Sequence, residues 1–222
     1  MELCSISHPS PNFDARDIPV EFLILHYTAV DLQGTLDILS STECGVSAHL
    51  VIDLDGTVYE LVPCLNGVAH RAWHAGVSRW QGKEAFNDFA LGIELVNYNG
   101  NIFPFTDEQY KALREVIQQL QKHYPNLNDP ERILGHEQIA GFRGKADPGC
   151  CFDWGRLFTE NYSDLPQPVR EPVCPKELQA SLEKLQPFEP ADREQRALFW
   201  QRVSELTETS VRLIQQVTSP RS

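Results

Sequence analysis

The sequence predicts an α/β (α+β) fold: a central mixed β-sheet flanked by helices, with a C-terminal helical extension. Apolar runs of strand length recur between polar breaks, and one long segment, 106–123, has helical spacing with a start signal. Composition agrees. At 222 residues, 41% hydrophobic and 23% charged, the chain has the make-up of a globular domain with room for one appendage.

"PVEFLILHYTAV" (19–30) is apolar without strict alternation, which reads as a buried strand. "DLQGTLDILS" (31–40) follows as a short helix. "SAHLVIDLDGTVYELVP" (47–63) holds two strand-like runs around Asp55-Gly56, the pattern of a β-hairpin. "FALGIELVNY" (89–98) is a second buried strand. In 106–123, "TDEQ" forms a capping box, with Thr106 as cap and Gln109 reaching back. Tyr110, Leu113, Val116, Ile117 and Leu120 then share one helical face. "RILGHE" (132–137) suggests a last short strand.

The character changes after Phe158, which divides the chain into a domain over 1–160 and an appendage over 161–222. "SDLPQPVREPVCPKE" (163–177) carries four prolines and reads as a linker or surface strap. From about Pro190 an approximate apolar stripe of Leu198, Val203, Leu206, Val211, Ile214 and Val217 predicts a terminal helix docked on the domain.

Bulk properties remove several function classes. A net charge of -12 argues against nucleic-acid binding, which needs clustered Lys and Arg. No segment approaches the roughly 18–20 apolar residues of a membrane span. The N-terminus shows no secretory signal, so a cytoplasmic location is expected, with periplasm or envelope the alternative if a leader has been removed. The six cysteines, at 4, 44, 64, 150, 151 and 174, include no Cys-x-x-Cys pair and read as packing residues rather than a zinc cage or disulfide scaffold.

Among the seven histidines, two have unusual settings. His26 ends the apolar run "FLIL", and His136 follows "RILG" in the same manner. A strand end holds an imidazole rigidly, as a metal ligand requires. Asp147, in the loop "GKADPG", would complete a set of two nitrogens and one oxygen, which suits zinc better than Mg²⁺ or Ca²⁺. Spacing alone leaves this open, because a lone histidine is more often packed, and an aspartate before proline often starts a turn.

Six motifs in order, "LILHYTA", "SAHLVIDLDGTVYELVP", "AWHAGVSRWQG", "NDFALGIELVN", "GHEQIA" and "GKADPG", resemble the zinc-dependent N-acetylmuramoyl-L-alanine amidases of the type 2 family. Amidase-type phage lysozymes and peptidoglycan recognition proteins share that family and its fold. The resemblance runs from about residue 20 to 158 and implies that the 1–160 domain is catalytic. It implies a bound Zn²⁺ held by His26, His136 and Asp147, with Glu94 as general base and acid and Lys145 steadying the oxyanion. The implied substrate is the amide joining muramic or anhydromuramic acid to L-alanine in peptidoglycan fragments. Trp73 and His74 match a stretch beside the metal and become candidate substrate contacts. Asn87 would orient the loop or the peptide, and Arg71 and Arg79 could meet peptide carboxylates. His49 reads as packed. Where some relatives carry a tyrosine on the hairpin strand, this chain has Ala48, which puts the proton transfers on Glu94. Two other readings remain: a binding protein of the same fold that does not cleave, and a zinc peptidase, the latter without a His-Glu-x-x-His helix. Anhydro preference, oligomeric state and the role of the C-terminal helices stay undetermined.

Overall fold

The structure, a computed structural model, describes residues 3–170 and six positions between 201 and 212. Its elements in chain order begin with strands β1 (Ser5–Ser7), β2 (Phe13–Asp17) and β3 (Phe22–Tyr27), then helix α1 (Leu32–Ser40). The hairpin β4 (Leu50–Ile52) and β5 (Val58–Glu60) follows, then short strands β6 (His70–Ala72), β7 (Arg79–Trp80) and β8 (Lys83–Glu84). The rest comprises β9 (Ala90–Leu95), α2 (Asp107–Gln121), β10 (Ile133–Gly135), α3 (His136–Ala140) and α4 (Trp154–Asn161).

Six strands form the main sheet in the order β1-β5-β4-β9-β3-β10. Only β4 and β5 pair antiparallel, so the sheet is mixed, as expected. Alternation sorts the side chains between two faces. Leu23, Leu25, Leu91, Ile93 and Leu95 enter the large core with Tyr110, Leu113, Val116, Ile117 and Leu120 of α2 and Trp154, Leu157 and Phe158 of α4. The opposite parity, Phe22, Ile24 and Ala90, packs with Phe86, Leu134 and Ile139 on the other face. Farther along that face, Leu36 and Leu39 of α1 meet Ala48, Val51 and Val96. Glu94 lies between these two smaller clusters in strand parity.

The start of α2 shows why one signal was readable. Thr106 Oγ1 accepts from the Gln109 amide at 3.1 Å, and Gln109 Oε1 accepts from the Thr106 amide at 3.1 Å. The structure adds a second task for this glutamine. Its Nε2 donates to the Val96 carbonyl at 2.9 Å, tying the helix start to the end of β9. α1 likewise begins on a cap, Asp31 Oδ1 accepting from the Gly34 amide.

Two features depart from expectation. The last strand ends at Gly135, and His136 opens α3 instead of extending the strand. α4 was not read from the sequence, because Gly155 and the short apolar set Trp154, Leu157 and Phe158 give little more than two turns. The strap beyond residue 170 and the whole Leu198–Val217 stripe lie outside the described residues. The six described positions after 200 are helical.

Thr106→Ala should lower stability by about 1 kcal/mol, the usual worth of such a cap. Urea titration should show a lower midpoint at unchanged slope, and an unmoved midpoint would mean the capping box contributes nothing to α2.

Candidate metal centre and catalytic cleft

Strands β3, β9 and β10 run parallel, so their carboxyl ends open on one edge of the sheet, where open α/β sheets bind ligands. Register then sets the site. His26 pairs with Glu94 across β3 and β9, and Leu25 pairs with Gly135 across β3 and β10. His136, one residue on, therefore arrives level with His26. Asp147 is brought in by the loop after α3, its carbonyl accepting from the Glu137 amide at 2.9 Å.

Three atoms converge there. His26 Nδ1 lies 3.0 Å from His136 Nδ1 and 2.9 Å from Asp147 Oδ2, and His136 Nδ1 lies 3.0 Å from the same oxygen. All three residues are buried. Among the described residues, this is the one group of three His, Cys, Asp or Glu side chains spaced to hold a metal ion.

The hydrogen bonds behind the rings decide what these atoms are. His136 Nε2 faces the Ala75 carbonyl at 3.3 Å. A carbonyl can only accept, so Nε2 carries a proton, and in its neutral form the ring leaves Nδ1 bare. His74 Nε2 faces the Ala90 carbonyl at 3.1 Å, so it too is protonated, and His74 Nδ1 is an acceptor. His26 Nε2, 3.0 Å from that acceptor, must donate to it, which leaves His26 Nδ1 bare as well. Two imidazole lone pairs and a carboxylate oxygen thus face one another with no proton between them. That arrangement is repulsive unless a cation sits among them, so the donor set fits a divalent metal of zinc type. Burial, with His136 second, pulls the His26 pKa down to about 4, so its ring is neutral near pH 7. Burial would raise the Asp147 carboxyl, but positive charge on the His136 and His26 rings, when present, outweighs it and holds it well below the usual carboxylate range, so this spot favours a cation.

The triad lies in a cleft of about 370 Å³ that also exposes Trp73, Glu94, Lys145 and, on its apolar side, Ile38, Leu39 and Val46. Burial, then the Asp147 charge, raises the Glu94 pKa to about 8, with Lys145 pulling the other way. Glu94 Oε2 has no hydrogen-bond partner, and no ion pair joins Glu94 to Lys145. A carboxyl poised near working pH and aimed at the cleft suits proton transfer.

The remaining candidates divide. Trp73 and His74 line the cleft. Asn87 is turned away from it: Oδ1 accepts from the His74 and Ala75 amides at 3.1 and 2.7 Å and so shapes the cleft wall. Arg71 is a correction. Its guanidinium is held by Asp88 at 2.5 Å and Asp14 at 2.9 Å, on the small β2–β6 sheet, and it does not line the cleft. Sequence could not distinguish an arginine facing substrate from one neutralised by carboxylates 57 and 17 positions away. Arg79 stacks on Phe142. His49 is packed, as expected: Nδ1 accepts from the Gly92 amide and Nε2 donates to the His70 carbonyl.

Sequence reasoning missed the support of the Asp147 loop. Asn97, Asn99 and Asn101 are buried in steps of two. Asn97 Oδ1 accepts from the Asn99 amide and Asn99 Oδ1 from the Asn101 amide, each at 2.9 Å. Asn101 then donates to the Ala146 carbonyl and accepts from the Cys150 amide, gripping the loop on both sides of Asp147. Gly100 is required there, since a Cβ would collide with the Pro148 carbonyl. The repeated asparagines of "NYNGN" just after the Glu94 strand were the available signal. Cys150 and Cys151 stay out of the metal group.

This fold and site are those of an amide hydrolase with a candidate metal centre at His26, His136 and Asp147. The chain belongs to the N-acetylmuramoyl-L-alanine amidase family: the family profile of that description matches residues 16–150. The 1,6-anhydro-N-acetylmuramyl-L-alanine amidase AmpD of Haemophilus influenzae is 39% identical over 170 residues, covering 68% of this chain and 88% of that protein. A crystal structure of a selenomethionine AmpD derivative superposes with a TM-score of 0.61 at 33% identity, covering 70% of this chain and 93% of the other. AMPDH3 from Pseudomonas aeruginosa, solved in complex with an anhydromuramic pentapeptide, gives 0.58 at 27% identity, covering 80% and 71%. The enzyme is an N-acetylmuramoyl-L-alanine amidase, and the six motifs read from sequence identified its family.

The raised Glu94 carboxyl has a stability consequence in metal-stripped protein. Between the ordinary carboxylate range and its pKa of about 8, the folded state keeps a proton that the unfolded state has lost. Stability must therefore fall as pH rises through that window. His26, depressed to about 4, has the opposite slope at lower pH and is common to both proteins compared. Glu94→Gln should melt higher than the parent by about 2–4 °C more at pH 8 than at pH 5, roughly 1 kcal/mol in a chain of this size. A gap that stays constant across pH would mean the carboxyl is not raised.

Proposed function

We propose that this amidase is zinc-dependent and acts on muropeptide fragments, in particular those bearing anhydromuramic acid, during cell-wall recycling in the cytoplasm. The observation that carries the metal reading is the approach of His26, His136 and Asp147 to about 3 Å with their lone pairs unshielded, level with Glu94. Two nitrogens and one oxygen favour zinc over the harder cations. The anhydro preference is supported by the name of the 39% identical relative and by the ligand of AMPDH3. No described helix is long and apolar enough to cross a membrane.

Zinc bound by these three residues would supply a polarised amide carbonyl and a water acidified toward about pH 7. Glu94 takes the proton of the attacking water and later delivers it to the leaving L-alanine nitrogen, which lets one carboxyl serve both steps. Lys145, exposed at the cleft and two residues before Asp147, places its ammonium where negative charge develops on the carbonyl oxygen. Trp73, Ile38 and Val46 offer an apolar wall to the sugar face and lactyl methyl. Attack is by water, so no acyl-enzyme forms.

Purified muropeptides with and without the anhydro sugar, incubated with zinc-loaded protein, should release free peptide and the sugar acid by mass. Loss of peptide length instead would indicate a peptidase, and no product from either substrate with zinc confirmed bound would overturn the catalytic reading. Glu94→Ala should retain stoichiometric zinc by elemental analysis and lose about 10²–10⁴ in kcat. Lys145→Ala should lose about 10²–10³. His26→Ala should lose the metal itself. A Glu94→Ala protein at full rate would remove it as the proton carrier.

A further inference from the structure

We propose that His74 is a positioning residue for His26: a buried relay from the Ala90 carbonyl through His74 to His26 fixes the tautomer that presents His26 Nδ1 to the metal. The inference rests on the zinc reading above and goes beyond it, because it gives His74 a task other than touching substrate.

The amide and both ring nitrogens of His74 are committed to the protein. Its amide donates to Asn87 Oδ1, its Nε2 to the Ala90 carbonyl, and its Nδ1 accepts from His26 Nε2. The direction of the relay comes from the carbonyl end. Were Ala90 not an obligate acceptor, His74 could carry its proton on Nδ1 and donate to His26 Nε2. That would drive the His26 proton onto Nδ1, the atom that must be bare to ligate. A backbone carbonyl thus dictates, two rings away, which nitrogen of His26 meets the ion.

The surroundings are built for this ring. Gly92 lies directly beneath it, and a Cβ there would come within 2.5 Å of His74 Cγ and Nδ1. Glycine weakens a strand interior, so its presence between Ala90 and Glu94 is explained by the imidazole it admits. His49 stands edge-on to His74, with ring centroids 5.7 Å apart, and both of its own nitrogens are taken by Gly92 and His70. It therefore braces the ring without competing for its bonds. The same strand, β9, supplies the relay's anchor, the space for its ring and the proton carrier Glu94.

The test has two arms, both on the full chain. In zinc-loaded wild-type protein, ¹⁵N NMR of the imidazoles should show His74 protonated on Nε2 and bare on Nδ1; a proton on Nδ1 would overturn the proposal, and this arm needs no variant to fold. In the second arm, zinc affinity is measured by competition with a chelator, alongside melting of the metal-free proteins. His74→Phe should weaken zinc binding about 10–100-fold. His74→Asn, whose side-chain oxygen can replace Nδ1 as acceptor, should recover most of that loss. Gly92→Ala should weaken binding without changing either histidine. If folded His74→Phe lowers the melting temperature but binds zinc as tightly as wild type, the residue is only structural and the relay is wrong. Failure of the wild-type protein to bind zinc would instead remove the metal reading on which the relay rests.

Discussion

The site depends on the repulsion among three lone-pair donors. His26 Nδ1, His136 Nδ1 and Asp147 Oδ2 are held about 3 Å apart, with the Nε2 atom of each ring committed elsewhere. Isolated side chains would rotate away from such an arrangement. Here they cannot, because the rings are buried and locked from behind by the Ala75 carbonyl and the His74–Ala90 pair. The fold stores an unfavourable contact that a cation converts into a favourable one, which is what preorganisation of a metal site means physically.

Parallel register makes this possible. Two strands bring His26 and Glu94 side by side, a third delivers His136 at the same level, and alternation turns both His26 and Glu94 away from α2. The apolar core beneath, from Leu23 to Leu120, is the rigid floor of the site. What the sheet cannot supply, the third donor of the cluster, comes from a loop, and that loop is fastened by backbone and asparagine hydrogen bonds. A loop lacks the mutual support of a sheet, so buried polar bonds take over that function.

Burial also sets the electrostatics. It lowers His26, His49 and His74 and raises Glu94, keeping the His26 ring neutral and leaving the Glu94 carboxyl near neutral pH. Arg71 shows the contrasting case. Paired with Asp14 and Asp88, it tightens the small sheet beside the cleft wall and has little charge to offer a ligand. The distinction between Lys145 and Arg71 is therefore one of surroundings, not residue type.

The local signals were legible because they are local. The capping box at Thr106, the hairpin around Gly56 and the buried runs of β3 and β9 each depend on neighbours within a few positions. The residues that converge at the cleft, His26, His136, Asp147 and Glu94, could be singled out from sequence through the ordered motifs, since those motifs preserve residue identity at fixed places in the fold. Tertiary structure alone decided the rest. It determined that Arg71 is neutralised, that Asn87 shapes a wall, that His74 faces the His26 ring, and that Asn101 grips the Asp147 loop. Each outcome turns on a partner 12 to 57 positions away, or on which of two atoms a carbonyl happens to face. Periodicity reports which face of an element is apolar; it carries no record of the distant group that comes to lie opposite a polar one.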